Sequence, residues 1–286
     1  MRKIFITMTA LMLSMMVQGQ TEVVDTTQFV AVYDYECRTQ TADKKDVTDK
    51  MRIVVQAGRL LTKSMPFSDY LKTDEETDIV TSYEEALMHM PTVWTGLPAG
   101  YTTLREYIFP NEYEANEETP EIVWTLSEDT MTVSGYLCRQ ATTTFRGVEW
   151  HAYYTEEIPS SAGPWRLGGL PGLIVKAESD AHTFCLSELR QEALPITTPD
   201  NNPEVHRLKY EKLLKYRNEI YGNSQYAGNP IYHVADKSGS AQSGYTLSLG
   251  GSINHMEVLD FGGKQYIYAD GHPFLTSAHV FQPLEK

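Results

Sequence analysis

Cysteine is scarce in this chain: three occur in 286 residues, at Cys37, Cys138 and Cys185. No two stand in C-x-x-C spacing, which excludes a thioredoxin-like redox motif and a zinc cluster of the usual kind. Basic residues are also in short supply, 24 Lys and Arg against 38 Asp and Glu, for a net charge of -14. A field of that sign repels phosphate backbones and anionic headgroups, so nucleic acid is excluded as an expected partner. No apolar run beyond the first twenty residues is long enough to cross ~30 Å of hydrocarbon, so no integral membrane span is expected. Catalytic signatures are missing too. There is no G-x-S-x-G elbow, no S-x-x-K and no H-E-x-x-H pair, and Ser160 and Ser161 read as turn residues beside Pro159 and Gly163. No catalytic residue is assigned and no cofactor is implied.

What is present begins at residue 1. Arg2 and Lys3 precede an apolar stretch, Ile4 to Val17, and Val17-Gln18-Gly19 offers the small or modest side chains that a signal peptidase reads. Residues 1–19 are therefore expected to be a signal peptide, cleaved near Gly19, with residues 20–286 forming one periplasmic or secreted domain. No Cys follows the apolar run to take a lipid. In an oxidising compartment cysteines pair, and Cys138 with Cys185 is the bridge considered, set against three buried, inert thiols.

The remaining pattern is mostly β. Phe29, Ala31, Tyr33, Tyr35 and Cys37 alternate with polar neighbours as in a half-buried strand. Two short strands, 51–56 and 60–63, flank a turn at Ala57-Gly58, where Gly58 is expected to supply positive φ. Helices are expected near 68–73 and 83–90, a strand at 101–109, and an acidic loop at 111–120. Candidate strands at 122–126, 130–144, 148–155, 173–178 and 183–188, with short connections, predict an antiparallel meander. Val205, Leu208, Leu213 and Tyr216 recur at helical spacing ahead of Gly222. Residues 237–251, rich in Ser and Gly, read as a flexible loop, and 256–261 with 265–268 as a terminal hairpin.

One loop stands out. From Ile158 to Ile174 the chain is rich in turn residues yet apolar, including Gly163-Pro164-Trp165-Arg166 and Gly169-Leu170-Pro171-Gly172-Leu173-Ile174. Pro171-Gly172 suits a type II turn, Gly168-Gly169 permits close backbone approach, and Trp165 should anchor the loop on the sheet. This hexapeptide, with the blocks around Trp124, Gly135-Tyr136-Leu137-Cys138, Phe145-Arg146-Gly147 and Tyr153-Tyr154-Thr155, resembles the GLPGLI family of exported Gram-negative envelope proteins, most strongly over 122–188. The resemblance implies an envelope protein and no particular chemistry. By analogy with lipoprotein carriers it implies an α+β, mostly β fold, a curved antiparallel sheet or open half-barrel with a few flanking helices.

With 18 Tyr and 4 Trp, the chain has aromatics to spare for a groove. Trp150, Tyr154 and Trp165 are the expected ligand contacts, with Arg166 available for an acidic group. The leading expectation is a non-enzymatic binding or carrier-like protein for a small apolar ligand, a peptide or an envelope protein. A weaker alternative is a metal binder or metal-dependent hydrolase using His151, Glu149 and His182, with Asp180 nearby. A third is an accessory subunit of an outer-membrane transport complex.

Overall fold

The structure, a computed structural model, describes residues 21–40, 44–71, 90–108, 111–221 and 282–285, and the backbone of short strands between 234 and 274. The segment expected to be a signal peptide, the helix expected at 83–90 and Gly222 lie outside the described residues, as does most of the loop expected at 237–251.

The fold is α+β and mostly β. Its centre is an open sheet of twelve strands with two edges, and it is not a closed barrel. In chain order these are β2 (Phe29–Gln40), β3 (Asp46–Ala57), β4 (Thr62–Pro66), β5 (Thr92–Thr95), β6 (Tyr101–Ile108), β7 (Asn111–Glu118), β8 (Thr125–Val133), β9 (Tyr136–Phe145), β10 (Val148–Thr155), β11 (Leu173–Glu178), β12 (His182–Arg190) and β14 (His206–Lys209). In space they run β14-β7-β6-β5-β4-β3-β2-β12-β11-β10-β9-β8. Two meanders, β2 to β7 and β8 to β12, meet where β12 pairs antiparallel with β2, Phe184 opposite Tyr35. Every pairing is antiparallel except that of β14 with β7. A separate two-stranded sheet joins β1 (Val23–Thr26) to β13 (Pro195–Thr197). Among the described residues the helices are α1 (Phe67–Leu71) and α2 (Tyr210–Tyr221).

Alternation divides the sheet into two packed faces. The odd residues of β2, Phe29 to Cys37, join Ile53, Leu104, Trp150, Phe184 and Leu213 in the main core. Val30, Val32, Val54 and Met65 form a second cluster on the other face, under Phe67 and Tyr70 of α1 and near it. The first five residues of β2 are consequently buried on both sides.

Tight turns set the meander. Ser134-Gly135 and Arg146-Gly147 both have positive φ at the two central positions (48° and 85°, 51° and 75°), the pattern of type I′ hairpins whose twist matches that of the flanking strands. The expected strand at 130–144 is therefore two strands, β8 and β9, broken at Ser134-Gly135.

Three further expectations need correction. Most of the expected acidic loop at 111–120 is strand β7, Asn111–Glu118. Tyr113 and Ala115 point into the core, and Arg105 and Arg207 compensate Glu114 on the opposite face. The helix starts at Tyr210, because residues 206–209 first pair with β7 as strand β14. Gly58 has no positive φ; a Cβ there would lie 2.2 Å from Asp25 Oδ2, so glycine is required by close approach. The hairpin at the far end is present as β15 (Met256–Phe261) and β16 (Lys264–Ala269), with β17 (His272–Phe274) added to it.

The apolar loop between β10 and β11 folds onto the main-core face. Trp165, Leu167 and Leu170 are buried there. Gly172 is not in the positive-φ region that a type II turn would give it, and Gly169 is, at 85°. Gly172 is required because a Cβ would sit 2.1 Å from the Thr155 carbonyl oxygen. Gly168 allows similar closeness to Ser161, and its own carbonyl accepts from Trp124 Nε1 at 2.9 Å. The Tyr33 hydroxyl donates to the Ile174 carbonyl at 2.7 Å, tying the loop's end to the sheet centre.

Candidate functional site

The loop delivers Arg166 into the protein interior. Trp165 takes a φ of 54°, and its N–H donates to Ser64 Oγ at 3.1 Å. This turns Arg166 under α2. Its guanidinium donates through Nη1 to the Tyr210 hydroxyl and to Glu285 Oε2, both at 2.8 Å, and through Nη2 to Glu117 Oε1. Glu117 lies at the inward-facing end of β7 and also pairs with Arg146. Phe145, Trp165 and Tyr210 surround the Arg166 guanidinium at 5.6, 5.8 and 5.1 Å, a cation–π enclosure.

A second arginine faces the same carboxylate. Arg217 lies seven residues after Tyr210 on α2, on the buried stripe that also holds Leu213. Its Nη2 donates to Glu285 Oε1 at 3.2 Å, and its Nη1 stands 3.5 Å from Glu106 Oε2 on β6. Each oxygen of Glu285, which has 0% exposure, therefore meets its own guanidinium. Burial pushes the Glu106 carboxyl up to about 7; Arg217 opposes this and Glu285 adds to it. Burial alone would lower the pKa of Arg166, but the carboxylates of Glu285 and Glu117 and the Tyr210 hydroxyl raise it, so it stays charged.

Glu285 arrives with its neighbours. Leu284 is buried in the main core. The Pro283 carbonyl accepts from His182 Nε2 at 3.2 Å, while the Tyr35 hydroxyl donates to His182 Nδ1 at 2.8 Å. Both ring nitrogens are thus used by a neutral imidazole, and burial lowers the His182 pKa to about 4. Trp150 stacks on that ring at 6.1 Å. Pro283, Leu284 and Glu285 lie against the main-core face, held by Arg166 of the β10–β11 loop, His182 of β12 and Arg217 of α2.

The residues expected to contact a ligand are placed differently. Trp150, Tyr154 and Trp165 have 0%, 1% and 2% exposure and belong to the core. Each such ring removes on the order of 150–250 Å² from water. At ~25 cal/mol per Å² that is roughly 4–6 kcal/mol, which opening the core to a ligand would forfeit. Only Arg166 of the four meets a polar partner of the kind foreseen, and those carboxylates belong to the chain itself. The metal set does not assemble. His151 lies on the sheet face opposite Trp150, 3.5 Å from Glu149, whereas Trp150 stacks on His182. Among the described residues no group of three His, Cys, Asp or Glu could hold a metal ion. All three cysteines are free, so Cys138 and Cys185 are not bridged. Burial pushes the Cys138 thiol up to about 11, as fits an inert one. Among the described residues no helix is long and apolar enough to cross a membrane.

Sequence comparison adds a family match of limited extent. Residues 143–176 match the model described as "Protein of unknown function (Porph_ging)". This corrects the resemblance to the GLPGLI family. The hexapeptide at 169–174 falls inside the matched stretch, where Gly169 answers to a positive φ and Gly172 to close packing, and neither requirement distinguishes one family from another. The match carries no information about envelope location or export. No curated protein matches the chain. Two structures of PNGF-II are similar in part. That in space group C2 has 12% identity and a TM-score of 0.41, covering 66% of this chain and 32% of that one. That in P21 has 12% identity and a TM-score of 0.43, covering 83% and 40%. The chain thus spans well under half the length of PNGF-II, and a likeness of this size says nothing of activity.

Proposed function

We propose that this chain is a non-enzymatic binding protein for extended peptide segments, and that the groove between α2 and the sheet is where it binds them. The observation that carries this reading is the pair Arg166 and Arg217, buried on a sheet face and converging on the two oxygens of one carboxylate. Buried arginines holding a carboxylate from both sides are suited to recognising a charged group, since planar guanidinium forks match carboxylates in shape and charge. Among the described residues around Glu285 the side chains are held in ion pairs and hydrogen bonds to one another, an arrangement suited to binding a charged group. Export is part of the proposal and rests on the leader pattern of residues 1–19.

The test is native mass spectrometry of the intact protein purified from the cells that make it. A co-purifying peptide mass that is lost on gentle activation is the expected result. A clean apo species that takes up no peptide from a cell-envelope digest would overturn the reading.

A further inference from the structure

We propose that the Arg166–Arg217 pocket is a receptor for acidic peptides in which an apolar residue precedes a Glu or Asp, and that Pro283-Leu284-Glu285 is its resident, displaceable occupant. This deepens the binding reading above and rests on it.

Three consecutive residues of the segment are held by three different kinds of contact. The Pro283 carbonyl takes the His182 N–H, Leu284 enters the apolar core, and Glu285 takes both guanidinium groups. That is how a peptide is read: a main-chain contact for register, an apolar socket, then a charge clamp. The segment is not a strand of the sheet, so its departure would break no ladder. Residues 222–281 separate it from α2, so it reaches the groove from the far end of a long connection.

The pocket would keep its charge without the segment. Arg166 would retain Glu117 and Tyr210, and Arg217 would retain Glu106. With Arg146 these make three cations and two carboxylates, a net positive socket in a chain whose net charge is -14. That sign selects an anionic ligand. The resident segment also leaves bonding capacity unused. Arg217 Nε and Glu106 Oε1 are both buried, on residues over nine-tenths buried, and neither has a hydrogen-bond partner among the described residues. An incoming peptide that satisfied them would be held better than Glu285 is. Because the resident segment is covalently attached, it competes at high effective concentration, so the intact protein should bind a free copy of the segment less tightly than a protein whose own segment is disabled.

The experiment is fluorescence anisotropy with a labelled peptide of sequence Phe-Gln-Pro-Leu-Glu-Lys, that of residues 281–286. The intact protein, the full-length variant Glu285→Gln and a chain ending at Phe281 are compared, each first checked for a cooperative melt. The expected result is at least tenfold tighter binding to either altered chain than to the intact one. Replacing Glu by Gln in the peptide should cost at least tenfold. Equal, weak binding by all three folded proteins would overturn the proposal while leaving general peptide binding, as read by mass spectrometry, untouched. Failure of both altered chains to fold would also overturn it, since the segment would then be core and not ligand.

Discussion

Two arginines on opposite faces of the same sheet make a controlled comparison. Arg166 sits on the main-core face among Glu117, Glu285 and Tyr210, with almost no contact with water. Arg105 sits on the other face and bonds Glu114 and Asp200, whose side chains are 17% and 44% exposed. The number of ionic contacts is similar, but the surroundings differ. Around Arg105 water can solvate a carboxylate left without its partner. Around Arg166, with the Pro283–Glu285 segment in place, it cannot, so loss of the buried arginine costs more than loss of the half-exposed one.

The largest expected effect tests that difference directly. Arg166→Met should destabilise the fold by about 3–5 kcal/mol, the usual penalty for leaving buried carboxylates uncompensated. Arg105→Met should cost about 1 kcal/mol, given partners that remain in contact with water. Urea unfolding of both variants decides it, and equal losses would erase the distinction between the faces.

A smaller effect concerns pH. Glu106, raised to about 7, contributes stability that is full below its ordinary pKa of 4.5 and is lost as pH rises through 7. His182, lowered to about 4, contributes stability that is full above 6.5 and is lost as pH falls through 4. Each amounts to a few kcal/mol at ~1.4 kcal/mol per pKa unit, with opposite sign. Between pH 4.5 and 6.5 the two should largely cancel, giving a flat profile for the unaltered protein. Glu106→Gln should leave the His182 slope exposed, so that stability falls on acidification across this range. Denaturant midpoints at several pH values measure it, and an unchanged slope in the variant would show that the two groups do not offset each other.

The smallest effect is expected at His151, which stands exposed beside Glu149. His151→Ala should change stability by less than about 0.5 kcal/mol. It should also leave zinc uptake, read by elemental analysis of the dialysed protein, at the level of the unaltered chain. A stoichiometric loss of zinc would reinstate the metal reading.

Much of the architecture was legible because it depends on local pattern. Strand β10 runs from Val148 to Thr155 as its alternation indicates, and the core phase of β2 follows Phe29, Ala31 and Tyr33. Strand β7 was hidden by its acids, since Glu112 and Glu114 look like a solvated loop until Arg105, distant in sequence from Asp200, is seen to gather them. The site was legible only at Arg166. Glu106 and Glu117 occupy inward positions between apolar residues, in Leu104-x-Glu106-x-Ile108 and Tyr113-x-Ala115-x-Glu117. Arg217 follows Tyr210 and Leu213 on one helical stripe. A charge in the apolar phase of an element is a readable sign of a buried ion pair, although it does not name the partner. Glu285 carried no local sign, because its role comes from a contact 119 residues away in sequence.

The junction between β14 and α2 has a mechanical consequence. Lys209 ends the strand and Tyr210 begins the helix with no residue between them. The parallel ladder to β7 therefore fixes the rotational phase of the helix. At 3.6 residues per turn, a one-residue slip of β14 along β7 would turn α2 by about 100° relative to the sheet. Arg217 would swing away from Glu285, and Tyr210 from Arg166. An edge strand of four residues thus acts as the indexing pin of the charged groove, and the accuracy of the pocket depends on hydrogen bonds at the margin of the sheet.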